Sequence, residues 1–381
     1  MSFTDRLGMT VPQAILAWAL VVFVGGASGV IAMLLCHYML TFGGHDSSDK
    51  HGISKVSATR IGGVAIVAYM ALHLGYQYAA GIYQPSLAEN SIMITALAYF
   101  LLGIYEDLTG NLSARLRFGI MIAIAAATMA FSSHLVLLPV GISWLDVILR
   151  LPISAVLLTA VCVAFIPNAF NTADGANGLV AGISLAVLTG LTAVAPVELM
   201  PFISAGAVAC LVFLVFNLIS GRFFLGDGGA YFLGAFCGLA VVVVSNTTDV
   251  SVWWLIAMIF YPVADLIWSM GRRYLAGDSP FKPDNQHFHN VLFAWLDSSK
   301  RSSQAANTTC GVGIAMLFAG LPLALSMGGT IPVESGQWFG VVIVQWAIYA
   351  LGWRVLNQRL CLLPSSEEQI TSGVGATESA V

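Results

Sequence analysis

Long apolar stretches, separated by short polar segments, run through almost the whole of this 381-residue chain. A helix that crosses a bilayer needs about 20 predominantly apolar residues. Eleven stretches approach or exceed that length: residues 12–42, 61–81, 91–105, 117–138, 150–170, 178–196, 199–219, 229–246, 250–271, 309–328 and 336–356. The pattern predicts an all-α, polytopic integral membrane bundle of about eleven transmembrane helices over residues 1–360, followed by a disordered cytoplasmic tail at 361–381. The first stretch is too long for a signal-peptide core, so we expect it to be retained.

The positions of lysine and arginine predict the orientation of this bundle, because these residues collect in cytoplasmic loops. If the amino terminus is outside and the carboxyl terminus inside, only Arg6 and Arg150 fall on the outer side. The basic residues on the inner side are Lys50, Lys55, Arg60, Arg115, Arg117, Arg222, Arg272, Arg273, Lys282, Lys300, Arg301, Arg354 and Arg359. A missed or false span would disturb this alternation, so the distribution also supports the count of eleven.

Composition excludes several classes of protein. Only 9% of the residues are charged and 58% are hydrophobic, whereas a soluble domain carries about 25% charged residues. A water-soluble enzyme of this length could not cover its surface with so few charges. The net charge is only −4 and the basic residues form no block, so a nucleic-acid binder is not expected. The six cysteines include no CxxC pair, which argues against a disulfide framework or a zinc ribbon.

Polar residues suited to chemistry are concentrated in segments that the alternation places inside. These segments are 45–60, Glu106-Asp107, 168–178, 217–227 and 272–308. The external connections, at 82–90, 132–149, 246–250 and 329–335, are short or carry few such residues. This asymmetry predicts an active site at the cytoplasmic face, and the alternative is that cytoplasmic loops are simply polar.

The segment FLGDGGAYFLG (224–234) places Asp227 between two glycines at the start of a predicted helix. Backbone N–H groups at a helix start attract phosphate, and glycines allow it to approach closely. A carboxylate there repels phosphate unless a cation bridges them, as Mg²⁺ does in phosphoryl transfer. The alternative is an ordinary N-cap aspartate.

Two other acidic or amide clusters are candidates for a site. Asn168, Asn171 and Asp174 follow one another at a spacing of three and would share one helix face. Such groups at a buried span end need a polar ligand, an ion or a hydrogen-bonded seam between helices. Glu106 and Asp107 are adjacent carboxylates that suit proton transfer or cation binding, unless they merely form a solvated helix end.

The segment DNQHFHN (284–290) contains His287 and His289. No nearby third ligand completes a zinc site, so phosphate contact or an ordinary loop is expected there.

Asp265 lies within the ninth predicted span, near its inner end. It is either functional or the partner in a hydrogen bond between helices.

In this order, the motifs resemble those of the polyprenyl-phosphate N-acetylhexosamine-1-phosphate transferase family, also called glycosyltransferase family 4. The resemblance extends from about Lys55 to Asn290. The matching segments are KVSATRIGGVAI, LGIYEDL with LSARLRF, NAFNTADGANGL, VFNLISGRFFLGDGGAYFLG and RRYLAGDSPFKPDNQHFHN. The last segment is most similar to that of the N-acetylglucosamine-type bacterial members, which reads much like SPFxPDxQHxHH.

The resemblance implies a catalytic or metal-binding role for five residues. Asp227 matches the aspartate that holds Mg²⁺, or Mn²⁺ in its place, on the donor pyrophosphate. Asp107, with Glu106, matches the acidic pair implicated in activating the lipid phosphate. Asn171 and Asp174 match polar residues around the ribose and the phosphates of the donor.

The resemblance also implies a set of substrate-binding residues: Lys55, Arg60, Asn177, Asn217, Phe224, His287 and His289. Lys55, Asn217 and Phe224 match positions around the uracil, with Phe224 as a stacking face, and Asn177 lies beside this pocket. Arg60 is a candidate phosphate contact, and the two histidines match the loop near the pyrophosphate.

Four positions depart from the family pattern. Glu106 stands where Asp is usual, and Asn177 stands where many members carry Asp. Asn290 replaces the last histidine, and Ala230 replaces a serine after the Gly-Asp-Gly turn. Because Asp107 and Asp227 are intact, we expect an active enzyme with an altered donor preference.

The implied reaction transfers a HexNAc-1-phosphate from a UDP-sugar to undecaprenyl phosphate, releases UMP and initiates a surface polysaccharide such as O-antigen. We expect direct attack by the lipid phosphate, with a covalent aspartyl intermediate as the alternative. The expected partners are the UDP-HexNAc donor, undecaprenyl phosphate and the lipid bilayer of a bacterial cytoplasmic membrane, without nucleic acid; a homodimer is left open.

The rival class is a membrane transporter of a lipid-linked sugar or another anionic substrate. Transporters place charges near the midplane and often contain inverted repeats, whereas here the ionisable groups lie at span ends.

Overall fold

The computed structural model of the protein describes Leu34 and residues 62–361, with gaps at 80, 82, 222 and 299–301. The predicted stretch at 12–42, apart from Leu34, lies outside the described residues, and so does the tail after residue 361. The helices are α1 Gly62–Ala79, α2 Leu87–Thr109, α3 Ala114–Phe131, α4 Ser143–Leu149, α5 Pro152–Ala173, α6 Leu179–Val194, α7 Met200–Ser220, α8 Gly226–Thr247, α9 Val252–Met258, α10 Phe260–Leu275, α11 Phe288–Asp297, α12 Ser303–Ala315, α13 Leu321–Met327 and α14 Trp338–Cys361.

The all-α membrane class is confirmed by the described part of the chain. Seven helical stretches in it are long and apolar enough to cross a membrane, and α9 with α10 makes an eighth if this pair, bent by 77°, is one span. The shorter apolar helix α6 and the helix α1 also occupy predicted stretches. The count of eleven therefore stays a prediction.

Helix α2 extends beyond the short apolar stretch predicted at 91–105, because polar groups define its ends. At its start, the Ser86 hydroxyl accepts a hydrogen bond from the N–H of Glu89, and the Glu89 carboxylate accepts one from the N–H of Ser86. At its end, Gly110 adopts the left-handed conformation at φ 63° and stops the helix. The result is a helix of 23 residues.

Helix α8 lies at the centre of the bundle and is buried along most of its length. It packs against α1, α2, α5 and α6. Glycines make the closest approaches possible: a Cβ added to Gly63 of α1 would lie 2.3 Å from the Cα of Gly229, and one added to Gly103 of α2 would lie 2.5 Å from the Cα of Gly228. The first turn of α8 is thus held between α1 and α2.

The loops separate into two groups at the two ends of α8, which is about 33 Å long at 1.5 Å per residue. At its first turn, the N–H of Gly228 donates to Asp107, from a segment predicted to be inside. At its last turn, the Asn246 side chain accepts from the N–H of Leu138 and donates to the carbonyl of Val136, both in a predicted external connection. Segments predicted to be inside thus lie at one end of α8, and predicted external segments lie at the other. Which of these ends faces the cytoplasm stays a prediction.

Candidate active site

Three acidic side chains and one arginine meet where α2, α3 and α8 come together. The Nη1 atom of Arg117 lies 3.3 Å from Oε1 of Glu106 and 3.2 Å from Oδ2 of Asp227. The Asp107 carboxylate accepts a hydrogen bond of 3.2 Å from the N–H of Gly228. The three ion-paired side chains are only 14–17% exposed, so their charges are weakly screened by solvent. The predicted residues Glu106, Asp107 and Asp227 are therefore brought into one cluster.

The short connection between α2 and α3 explains why Arg117 faces Glu106. After Gly110 ends α2, the N–H of Leu112 donates a hydrogen bond of 3.0 Å to Oε2 of Glu106. The side chain of Ser113 then caps the start of α3. The turn is thus folded around the Glu106 side chain, and Arg117 lies one turn into the next helix.

Asp227 lies inside the first turn of α8 and is not its N-cap. The helix begins at Gly226, whose φ is 72°, and the N-cap position is Leu225. Gly62 and Gly63 of α1 donate their N–H groups to the carbonyls of Phe224 and Leu225, at 2.9 and 3.0 Å. These bonds fix the chain immediately before Asp227. Acidic side chains at this position interact favourably with the positive end of the helix dipole.

A cavity of about 610 Å³ lies beside this cluster, between α3, α5, α10 and the segment at 280–290. Its polar wall includes Arg117, Asn168, Asn171, Asp174, His287 and His289. Its apolar wall includes Phe118, Phe165, Leu266 and Met270. Residues that are far apart in sequence, and that were selected as separate motifs, therefore line one space. Arg117 belongs both to the cavity wall and to the acidic cluster.

Asn168 and Asn171 lie on one face of α5, as their spacing predicts. The side-chain amide of Asn168 donates to the carbonyl of Ala164 at 2.8 Å. That of Asn171 donates to the hydroxyl of Tyr231 on α8 at 3.3 Å. Asn171 thus takes part in a hydrogen bond between helices α5 and α8, which is one interpretation of this motif. It also lines the cavity, as the other interpretation, contact with a polar ligand or an ion, requires.

Asn217 and Asn177 are not among the residues that line the cavity. The side-chain oxygen of Asn217 accepts from the N–H of Gly178 at 2.6 Å, and its amide donates to the carbonyl of Phe223 at 2.5 Å. The N–H of Asn177 donates to the side chain of Asn307 at 2.6 Å. Both asparagines are nearly fully buried and join loops or helices to one another. Their contact with uracil stays a prediction.

Among the described residues, Phe224 is not part of this cavity wall either. Phe224 lies two residues before α8, where its carbonyl accepts the hydrogen bond from Gly62. Lys55 and Arg60 lie outside the described residues.

His287 and His289 are adjacent in the cavity wall, with stacked rings whose centroids are 5.7 Å apart and whose planes differ by 11°. Nδ1 of His287 lies 2.7 Å from Oδ2 of Asp265 on α10. The other oxygen of Asp265 accepts a hydrogen bond of 2.7 Å from the Tyr349 hydroxyl on α14. Asp265 therefore has both a bond between helices and a bond to a cavity histidine, the two interpretations that the sequence left open.

Two further residues of the site were not selected from the sequence. Arg117 is a predicted inner basic residue within the LSARLRF motif, but nothing in its spacing identifies Glu106 and Asp227 as its partners. Asp284 lines the cavity and is bound by Ser269, by the N–H of Gln286 and by Arg272. Burial raises the pKa of Asp284, but these hydrogen bonds and the arginine charge lower it below the ordinary value overall, so Asp284 is ionised at neutral pH.

Comparison with known proteins agrees with the motifs. A family model described as glycosyl transferase family 4 matches residues 90–245. The decaprenyl-phosphate N-acetylglucosaminephosphotransferase of Mycolicibacterium smegmatis is 26% identical over 306 residues, which cover 72% of this chain and 70% of that relative. Relatives of the same name from Mycobacterium leprae and Mycobacterium tuberculosis are covered over only 62% and 61% of their length.

Two relatives with other names extend this result. The undecaprenyl-phosphate alpha-N-acetylglucosaminyl 1-phosphate transferase of Thermotoga maritima is 29% identical over 204 residues, covering 54% of this chain and 62% of that relative. The phospho-N-acetylmuramoyl-pentapeptide-transferase of Deinococcus radiodurans is 31% identical over 314 residues, covering 76% of this chain and 92% of that relative. The chain therefore belongs to glycosyl transferase family 4, the family of the polyprenyl-phosphate N-acetylhexosamine-1-phosphate transferases.

Proposed function

We propose that this protein transfers a HexNAc-1-phosphate from a UDP-sugar to undecaprenyl phosphate, giving UMP and a polyprenyl-diphospho-sugar. The names of its relatives describe phosphotransferases that act on a polyprenyl phosphate, which supports the general reaction. The observation that carries the proposal is the meeting of Asp107, Asp227 and Arg117 at the first turn of α8, beside a cavity lined by two histidines.

The residues of the cavity suit a donor pyrophosphate. Arg117 offers a planar set of N–H donors of the kind that binds phosphate oxygens, and His287 and His289 offer ring nitrogens on the same wall. The carboxylate of Asp107, on α2, contacts the first turn of α8, where it would orient the attacking lipid phosphate or take a proton from it. Glu106 is held by Arg117 and by the N–H of Leu112, which suits an indirect role in positioning Arg117.

The acidic cluster also fits a magnesium ion. Mg²⁺ prefers oxygen ligands and is usually bound by one or two carboxylates together with substrate phosphates. Asp227 and Asp107 would supply these carboxylates, although the described residues contain no group of three or more His, Cys, Asp or Glu side chains arranged to hold a metal. When bound, the ion would neutralise the charge of the pyrophosphate. We include Mg²⁺, or Mn²⁺ in its place, in the proposal on this chemistry.

The apolar wall of the cavity suits the lipid acceptor. Phe118, Phe165, Leu266 and Met270 offer a surface for the first isoprene units next to the polar wall. The cavity thus combines an anion-binding side and an apolar side, as a reaction between a nucleotide sugar and a prenyl phosphate requires. The ionisable side chains of the acidic cluster lie at helix ends, which favours this function over transport.

The cellular setting completes the proposal. The enzyme would lie in a bacterial cytoplasmic membrane with its site at the inner face and its amino terminus outside. Its product would initiate a surface polysaccharide such as O-antigen, and the UDP-HexNAc donor would be selected by the residues around the cavity.

The test is an assay of membranes that contain the protein, undecaprenyl phosphate, Mg²⁺ and each of a panel of UDP-HexNAc donors, scored for UMP and lipid product. We expect one donor to give acceptor-dependent UMP release, and Asp107→Asn to lose it. Asp249→Asn is the matched control, because Asp249 is exposed near the opposite end of α8. A folded wild-type protein that releases no UMP from any donor would overturn the proposal.

A further inference from the structure

Helix α10 holds both cavity histidines through two side chains on one of its faces. Tyr261 and Asp265 are four residues apart on α10, so they lie one above the other. The Tyr261 hydroxyl lies 3.1 Å from Nδ1 of His289, and Oδ2 of Asp265 lies 2.7 Å from Nδ1 of His287. Nδ1 of His289 thus faces a phenol hydroxyl, whereas Nδ1 of His287 faces a carboxylate.

The Asp265 carboxylate is enclosed by hydrogen-bond donors. The residue is only 1% exposed. Its Oδ1 atom accepts from the N–H of Phe288 at 2.8 Å and from the Tyr349 hydroxyl at 2.7 Å, while Oδ2 faces His287. A buried carboxylate is costly unless it is paired and hydrogen-bonded in this way. The Asp265 side chain therefore connects α10 to the start of α11 and to α14.

These contacts determine where the proton between Asp265 and His287 lies. The N–H of Phe288 can only donate, so Oδ1 is an acceptor. A carboxylic acid is ordinarily much more acidic than an imidazolium, so the proton shared at Oδ2 belongs to Nδ1 of His287. The second ring nitrogen, Nε2, is then left for a ligand in the cavity that His287 lines.

We propose that Asp265 is a positioning residue for His287: it fixes the ring with Nδ1–H towards the carboxylate and stabilises an imidazolium that donates Nε2–H to the donor pyrophosphate. The inference deepens the proposed function and rests on it. Asp265 supplies the counter-charge for this imidazolium, as the carboxylate does in other aspartate–histidine pairs.

The other ionisable groups around this pair belong to several elements. Tyr349 contacts Asp265 from α14, and His289 stacks on His287. The remaining ionisable groups that line the cavity are Arg117, Asp174, Arg273, Lys282 and Asp284. Asp265 is distinguished from all of these by its direct hydrogen bond to the His287 ring.

Replacing Asp265 by Asn keeps the shape of the side chain but reverses the direction of its hydrogen bond with Nδ1 of His287. An Asn amide in place of Oδ2 would donate to Nδ1, and the His287 ring would then be neutral with its proton on Nε2. We expect Asp265→Asn to raise the donor KM and to lower kcat/KM by roughly 10- to 100-fold, the usual cost of losing an orienting partner. Asp249→Asn is the matched control, because it makes the same chemical change at an exposed carboxylate near the opposite end of α8, and its kcat/KM should stay near that of the wild type.

A double-mutant cycle separates positioning from a merely structural role. If Asp265 acts through His287, Asp265→Asn should cost nothing further in a His287→Gln background. An equal loss of kcat/KM in both backgrounds, or full activity of Asp265→Asn, would overturn the proposal.

A spectroscopic measurement makes the inference independent of turnover and of the folding of any Asp265 variant. The purified full chain, labelled with ¹⁵N-histidine, is measured with UDP bound, and His287 is assigned among the seven histidines by its loss in His287→Gln. We expect both ring nitrogens of His287 to be protonated in the wild type. An unprotonated Nδ1 in the wild type would refute the positioning role. Failure of UMP release with any donor would instead refute the proposed function.

Discussion

Glu106 and Asp227 are joined through a single nitrogen atom, Nη1 of Arg117, at 3.3 and 3.2 Å. The two carboxylates come from α2 and α8, which are far apart in sequence. The second oxygen of Glu106 is also engaged, by the N–H of Leu112. The protein itself therefore uses both oxygens of Glu106 to hold Arg117 and the turn after α2, whereas the Asp107 carboxylate contacts the first turn of α8.

This difference predicts unequal effects in the acidic pair. Glu106→Gln keeps an acceptor for Leu112 or Arg117 and should leave measurable UMP release. Asp107→Asn removes the carboxylate proposed to act on the lipid phosphate and should cost about 10²-fold or more in kcat. Donor binding, measured separately, should be largely retained in both variants. A more severe loss at Glu106 than at Asp107 would show that the two roles are assigned the wrong way round.

Arg117 should be essential for the arrangement of the cluster. Arg117→Gln leaves Glu106 and Asp227 without their shared cation, and partly buried like charges then repel each other. We expect a loss of roughly 10- to 100-fold in kcat/KM, with partial recovery in Arg117→Lys, which restores charge without the planar set of donors. Arg115→Gln is the control on the same helix, since Arg115 is exposed and contacts Ser279 and Phe281 instead. Equal effects at the two arginines would contradict the bridging role.

The metal proposal predicts dependence on a divalent cation. EDTA should stop UMP release, and Mg²⁺ or Mn²⁺ should restore it, because the donor pyrophosphate needs charge neutralisation. Asp227→Ala should remain folded in the membrane and stay inactive at any Mg²⁺ concentration. Full wild-type activity in excess EDTA would refute the metal assignment.

Much of the fold could be predicted from apolar stretches alone. Helices such as α5 and α8 lie where their stretches were placed, because burial in lipid requires about the same length of apolar chain everywhere. Helix ends that are determined by polar side chains could not be predicted from the apolar stretches. Helix α2 is longer than its stretch since Ser86 and Glu89 form a capping box before it, and the chain of α9 and α10 bends where a single span was expected.

The site was predicted as a set of motifs but not as a network of contacts. The clustering of Asp107, Asp227 and the histidines around one region follows from placing their loops at one end of the bundle. The pairing of Arg117 with Asp227 does not follow, because they are 110 residues apart and only tertiary packing brings them together. Likewise, the resemblance implied a ligand contact for Asn217, and the structure shows both ends of its amide bound to backbone.

The predicted orientation can be tested by labelling from either side of the membrane. In a variant without the six native cysteines, Asp278→Cys should react only with a reagent that reaches the cytoplasm, because Asp278 is exposed near the cavity loop. Ser133→Cys, exposed at the opposite end of the bundle, should react with an impermeant reagent from outside. The reverse labelling pattern would overturn the orientation and the cytoplasmic location of the site.

The contact between α1 and α8 predicts opposite effects for two glycines of one helix. A Cβ on Gly63 would lie 2.3 Å from the Cα of Gly229, whereas one on Gly75 would meet no atom within 4 Å. Gly63→Ala must therefore push α1 away from the first turn of α8, at a cost of about 1–3 kcal/mol. The same shift would strain the hydrogen bond from Gly63 to Leu225 and displace Asp227, so activity should fall as well.

Gly75→Ala is the matched control for this effect. Alanine at an open helical position should be neutral or stabilising by up to about 1 kcal/mol, because it restricts the unfolded chain. Thermal unfolding in detergent and UMP release should be measured for both variants. Since the two changes add the same methyl group to the same helix, equal midpoints and equal rates would show that close packing of α1 on α8 does not hold Asp227 in place.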